Sequence, residues 1–122
     1  MTRWIFKILR PNEQREAAEN CDYRGSLDDI RDGFIHFSTA EQLSGTAGKY
    51  FTDTDVVHVL AFDSEIWSTQ VLKWEASRGG ALFPHLYRPL NITDASMEWS
   101  IERDGTGNFN LDEVLNWENS HV

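Results

Sequence analysis

The chain has 122 residues, enough for a single domain spanning 1–122 that buries roughly two thirds of its unfolded surface. Apolar residues make up 40% of it and aromatics 12%, which supplies a core and excludes a disordered tail. Eleven basic against 20 acidic side chains leave a formal charge of -9, which opposes nucleic-acid backbones and anionic membrane surfaces as partners.

Trp4 to Leu9 reads as a strand broken only by Lys7 and stopped by Pro11. Asn12 offers a helix cap, and Glu13 to Glu19 are helix formers ended by Asn20. Cys21 follows, the single cysteine, a bystander thiol that cannot form an internal disulfide. The N-terminal apolar patch is too short for a signal-peptide core or a membrane span, and with the lone thiol it points to a reducing cytoplasmic setting. Leu27 and Ile30 are spaced for one short helical turn, closed by Gly33.

Gly33-Phe34-Ile35-His36-Phe37-Ser38-Thr39-Ala40-Glu41-Gln42 packs a turn glycine, a strand with a histidine inside it, and a helix start into ten positions. Ser38 with Glu41, or Thr39 with Gln42, fits the capping-box pattern, and Ser38 is the favoured cap. The helix runs through Leu43, Ala47 and Tyr50-Phe51, with Gly45 and Gly48 each weakening it by about 1 kcal/mol relative to Ala. Val56 to Phe62 is the clearest buried strand, and His58 within it reads as a satisfied core or edge residue.

Val71 to Ala76 alternates, with Lys73 and Glu75 on one face and Leu72 and Trp74 on the other. Gly79-Gly80 marks a loop. Phe83 to Leu90 carries Pro84 and Pro89, so it is extended and poorly suited to a central strand, but suited to a binding wall. Met97 to Glu102 is a further strand, residues 104–107 a turn, and Leu111 to Trp117 a short helix capped by Asn110.

Glycine-rich phosphate loops, dinucleotide fingerprints, Gly-x-Ser-x-Gly and His-Glu-x-x-His are absent, and His36, His58, His85 and His121 lack metal-ligand spacing, so no metal is expected. His36 shares a strand face with Phe34, opposite Ile35 and Phe37. It is either buried with a partner or lines a cleft. Glu75 beside Trp74 is either a carboxylate in an apolar pocket, its pKa raised for acid or base work, or a solvated strand residue. His85 and Tyr87 face one side of their segment and belong either to a site or to a rigid loop. Lys7, Lys73, Arg78 and Arg88 are the cations that could hold a phosphorylated small molecule despite the acidic balance.

Three ordered motifs carry a resemblance: Gly33 to Gln42, then Leu72-Lys73-Trp74-Glu75, then Phe83-Pro84-His85-Leu86-Tyr87 with Pro89-Leu90. Over residues 4–95 the chain resembles the bacterial family labelled domain of unknown function 952. Residues 96–122 carry none of it. Members of that family are similar in fold to ADP-ribosyltransferases, so the resemblance implies an α+β, ADP-ribosylation-like fold in which split, mostly antiparallel sheets with short helices clasp NAD. It implies Lys7 at the first-strand ribose position, Phe34 to Ser38 at the strand-to-helix position, and Glu75 or His85 at the acceptor-orienting position. Lys7 stands where that fold often has His or Arg, and His36 has no counterpart in the usual triad. The resulting expectation is a nucleotide-like ligand cleft, of NAD or ADP-ribose type. Glu75, His36 and His85 carry its chemistry, and Lys7, Phe34, Ser38, Thr39, Trp74, Phe83, Tyr87 and Arg88 line it. The alternative is a non-catalytic binding or protein-interaction module on the same scaffold.

Overall fold

Two three-stranded antiparallel sheets meet edge to edge in the computed structural model, which describes residues 2–121 apart from the Arg78 side chain. In chain order the elements are β1 (Trp4–Leu9), α1 (Pro11–Glu19), α2 (Leu27–Asp32), β2 (Ile35–His36), α3 (Leu43–Tyr50), β3 (Val56–Asp63), β4 (Leu72–Ala76), β5 (Leu82–Leu86), β6 (Met97–Glu102) and α4 (Asp112–Ser120). The first sheet has the order β1-β3-β6 and the second β2-β5-β4. The fold is α+β, with antiparallel sheets and short helices.

The first sheet is covered on both faces, which is why β1 and β3 read as nearly unbroken apolar runs. Trp4, Phe6 and Ile8 pack with Leu43 and Ala47 of α3 and Val114 of α4. Ile5 and Leu9 face the other way, against Ala17 of α1, Ile35 and Phe37 around β2, and Leu86 of β5. Strand alternation puts Lys7 on this second face, between Ile5 and Leu9. It is 5% exposed, so its ammonium must find a counter-charge.

The sheets are stitched where two edge strands approach. Ile35 and His36 pair with Leu86 and His85, and Phe37 N–H still donates to the Pro84 carbonyl at 3.0 Å. One residue on, Ser38 has changed sheets: its N–H donates to Phe6 O at 2.9 Å, and Phe6 N–H donates to Ser38 O at 2.8 Å.

Several expectations need correction. The Phe83 to Leu90 segment supplies β5, the central strand of the second sheet. Pro84 is tolerated because its carbonyl faces Phe37, so its missing N–H falls where two-residue β2 ends and costs one terminal ladder bond. Helix α1 is capped from Arg10, not Asn12: Arg10 N–H donates to Glu13 Oε1 at 2.8 Å, and Pro11 occupies the first turn. Thr39, not Ser38, sits at the cap before α3, its N–H donating to Gln42 Oε1 at 3.0 Å. Leu27 and Ile30 do form a helical turn, yet they are 86% and 62% exposed. The buried side chain of α2 is Asp29. His58 is half-buried, and its Nδ1, without a hydrogen bond among the described residues, faces Glu98 Oε2 at 3.6 Å.

The C-terminal helix runs three residues past Trp117, and Asn110 Oδ1 accepts Asp112 N–H at 2.9 Å. The Trp117 ring meets Trp4 at 4.8 Å and Trp99 at 5.6 Å, which pins this helix to the first sheet. Trp4 Nε1 also donates to the His121 carbonyl at 2.8 Å.

Candidate functional site

Asp29 is set in place by the helix it belongs to. Its Oδ2 accepts Ser26 N–H at 2.9 Å while Ser26 Oγ accepts Asp29 N–H at 3.2 Å, a reciprocal cap at the start of α2. Gly33, at φ 85°, ends the helix by donating to Asp29 O at 2.9 Å. Gly25 precedes the helix at φ 111°, where a Cβ would lie 2.4 Å from Asp29 Cβ.

This carboxylate, in a residue 2% exposed, joins three elements. Lys7 Nζ donates to its Oδ2 at 2.8 Å and also to the His36 carbonyl at 3.0 Å. His36 Nδ1 lies 2.6 Å from Oδ1, and His36 N–H donates to Oδ1 at 3.1 Å. Burial pushes the Asp29 carboxyl up, but the Lys7 charge and the hydrogen bonds from His36, Lys7 and Ser26 outweigh it and hold it well below the usual carboxylate range. The other ring nitrogen of His36, Nε2, lies 3.0 Å from Asp32 Oδ2. Two carboxylates therefore fix the ring from both ends; the neutral ring donates to one, the cation to both.

On the neighbouring strand stands a second oriented histidine. His85, cross-strand partner of His36, places Nδ1 2.8 Å from Glu75 Oε1, and the Tyr87 hydroxyl donates to the same oxygen at 2.7 Å. The Phe34 ring stacks on His85 at 3.9 Å, and the His36 and His85 rings lie 5.5 Å apart. Burial, at 4% exposure, disfavours the imidazolium of His85 more than Glu75 favours it, so its pKa is lowered. A neutral ring donating Nδ1–H to Glu75 leaves Nε2 as an acceptor.

Glu75 departs from the apolar-pocket expectation. Hydrogen bonds from Tyr87 and His85 draw its pKa down, and its side chain is partly solvated. It is a positioning group for His85. In return it pushes the Tyr87 hydroxyl up to about 12.

Asp29, Asp32, His36 and His85 border a cleft of about 180 Å³ between β1 and the β2–β5 pair, closed by α2 and α3. Lys7, Asp29, His36, Ser38, Phe83 and His85 line it. Among the described residues the cations on its wall are all committed: Lys7 to Asp29, Arg10 to Glu13 and Asp53, Arg31 to Asp28 and Asp32. Ser38 Oγ bonds Thr46 Oγ1 at 3.0 Å, with no hydrogen bond to His85. Phe34 and Tyr87 stand outside the cleft, on a shallower groove that Arg88 also lines. Two expected residues are elsewhere: Trp74 packs on the core side of β4, and Thr39 is taken up at the helix start. Among the described residues no group of three or more His, Cys, Asp or Glu side chains could hold a metal ion, and no helix is long and apolar enough to cross a membrane.

Asp29 and Asp32 were not anticipated from the sequence. A signal was present: Ser26-x-x-Asp29 is a capping box, and a lysine in an otherwise apolar strand requires a buried acid.

The class of protein is thus a small α+β domain with paired, carboxylate-oriented histidines at the seam of two antiparallel sheets. The model of the family described as "Protein of unknown function (DUF952)" matches residues 8–97, and the chain belongs to that family. Among solved structures it is similar to protein CC0527 from Caulobacter crescentus. The crystal structure of that protein is 42% identical, with a TM-score of 0.85 over 93% of this chain and 98% of that one. A double mutant of the same protein gives 41% and 0.84, again over 93% and 98%. Its solution NMR structure gives 41% and 0.80 over 93% and 97%. No curated protein matches.

Proposed function

We propose that the cleft binds the ribosyl end of a nucleotide-like molecule of NAD or ADP-ribose type, on an ADP-ribosylation-like fold, and acts on or recognises the glycosidic bond there. The observation that carries this is the facing pair of oriented histidines, His36 held by Asp29 and Asp32, His85 held by Glu75. Cleaving a nicotinamide glycosidic bond passes through an oxocarbenium-like state, which carboxylates stabilise. Water or an acceptor hydroxyl gives its proton to His85 Nε2 as its oxygen bonds the anomeric carbon. The C–N bond breaks, and its electron pair leaves with neutral nicotinamide. Ser38, whose hydroxyl can accept from one partner while donating to another, hydrogen-bonds the ribose, and His36, held at both nitrogens, forms the wall beside it.

The charge of the cleft supports this choice of fragment. Every cation on its wall among the described residues is ion-paired, so it suits a sugar next to a cationic ring better than a pyrophosphate. Its size supports the same choice, being below the usual range of 300–1,000 Å³ for whole drug-sized ligands. A reducing, cytoplasmic setting fits the single exposed thiol of Cys21.

A second reading, a non-catalytic binding or protein-interaction module, draws on Leu27 and Ile30, two apolar side chains that α2 presents to solvent beside the site. A thermal-shift panel of NAD, ADP-ribose, nicotinamide riboside and common nucleotides separates the readings. Ligand at about a hundredfold over its dissociation constant should add about 2.7 kcal/mol. A shift with nicotinamide release supports catalysis, a shift without turnover supports a sensor, and no shift across the panel removes the ligand reading.

A further inference from the structure

The structure holds a second concave feature that the histidine chemistry does not use. It is a shallow groove of about 340 Å³ lined by Arg24, Ile30, Phe34, Tyr87 and Arg88, and it shares the Asp29 wall with the inner cleft. The chain brings its two arginines together through a backbone bridge. Tyr23 N–H donates to Leu90 O at 3.0 Å and Leu90 N–H to Tyr23 O at 2.8 Å, so Arg24 and Arg88 flank the same pair of bonds.

Like Arg15 and Lys49 they have no carboxylate ion pair among the described residues, and unlike those two they line one groove together. Arg3, Lys7, Arg10, Arg31 and Arg103 each sit within ion-pair distance of a carboxylate. Among the described residues no carboxylate pairs with Arg24 or Arg88; Arg88 Nε donates only to the Pro89 carbonyl at 3.2 Å. Lys73 lies with Nζ 5.2 Å from the Tyr87 ring centroid, its charge shared with the Glu75 carboxylate. The one carboxylate on this wall, Asp29, is neutralised by Lys7. On a chain of net charge -9, two arginines without a carboxylate beside the exposed Tyr87 ring and the half-buried Phe34 ring make a local reversal of sign.

We infer that this groove is an anion subsite that takes the phosphate of a phosphorylated ribosyl ligand whose sugar end enters the histidine cleft, with Arg24 and Arg88 as the phosphate donors. This rests on the ligand reading above and completes it, because among the described residues every cation on the inner cleft is ion-paired. Arginine forks match phosphate oxygens in geometry and charge. Phe34 joins the two sites, one ring both stacked on His85 and lining the groove.

The test compares nicotinamide riboside with nicotinamide mononucleotide, which differ by one phosphate. Each is titrated calorimetrically into the wild type and into Arg24→Ala/Arg88→Ala. Both arginines are exposed, so the variant should fold, as its thermal midpoint will show. The mononucleotide should bind the wild type about tenfold more tightly than the riboside, the size of one charge-assisted hydrogen bond. The variant should abolish that advantage and leave riboside binding unchanged, and added salt should shrink the mononucleotide's advantage. Riboside binding with no advantage for the mononucleotide, or an advantage that survives in the variant, overturns the anion subsite while the cleft reading stands. Failure of both compounds to bind overturns the two together.

Discussion

Replacing Asp29 by Asn is the most exacting perturbation of this molecule. The substitution keeps the side chain's size and removes its charge, leaving the Lys7 ammonium buried between Ile5 and Leu9 with neutral oxygens, the His36 carbonyl and the new amide, in place of a counter-charge. Breaking a buried pair by removing one partner costs about 3–5 kcal/mol. For a chain of this length that lowers the thermal midpoint by roughly 10–20 °C. Chemical denaturation of the wild type, Asp29→Asn, Lys7→Met and the double variant closes a cycle. The double variant should be more stable than the sum of the singles predicts, since it leaves no uncompensated charge. The acid limb gives a second readout. The Asp29 carboxyl titrates below its unfolded value of 3.8, so its contribution is complete above that pH and drains away as pH falls through the folded value. Asp29→Asn should lack that component. A cost below about 1 kcal/mol for Asp29→Asn, set against the expected range, would refute the reasoning, as would additive singles.

The other tests bear on the second histidine and on the turn before α2. His85 should titrate below 6.5 by NMR because burial opposes its charged form; its contribution to stability is then complete above 6.5 and lost as pH falls toward the folded value. Glu75→Gln should move that titration lower still, and an upward move would contradict the assigned role of Glu75. In wild type the Tyr87 phenol should ionise near 12 by phenolate absorbance, and in Glu75→Gln it should return toward 10.0. Gly25→Ala should cost more than Gly33→Ala by denaturation. Both positions carry positive φ, a strain of about 1–3 kcal/mol for alanine, but only at Gly25 would the new Cβ collide with Asp29. Equal costs would mean that Asp29 moves freely.

What the sequence reveals and what it hides divide along a physical line. Features encoded by neighbours along the chain are legible: the β1 bounds, the buried run of β3, Gly33 closing a helical turn, and the shared face of Phe34 and His36. Features decided by distant partners are not. Pro84 looks disqualifying until the strand beside it is known to be two residues long. Leu27 and Ile30 look like the inward side of α2, whereas the pull of Lys7 turns Asp29 inward instead. Glu75 seems a candidate acid by its place beside Trp74, and only the Tyr87 and His85 hydrogen bonds show that it stays ionised and holds another group. Within the candidate site the histidines, Phe34 and Tyr87 are readable as a cluster of motifs. Asp29, on which the geometry turns, is concealed because its partners lie 22 residues before it and 7 after it.

The passage of the chain from one sheet to the other between Phe37 and Ser38 carries a consequence for exchange. The walls of the cleft share that dipeptide, and widening the gap means breaking the Phe37 bond to Pro84 or the pair of bonds between Ser38 and Phe6. A ligand of the proposed kind would therefore meet an aperture whose width is set by hydrogen bonds of the backbone, and slower exchange with rising guest size is the expected signature.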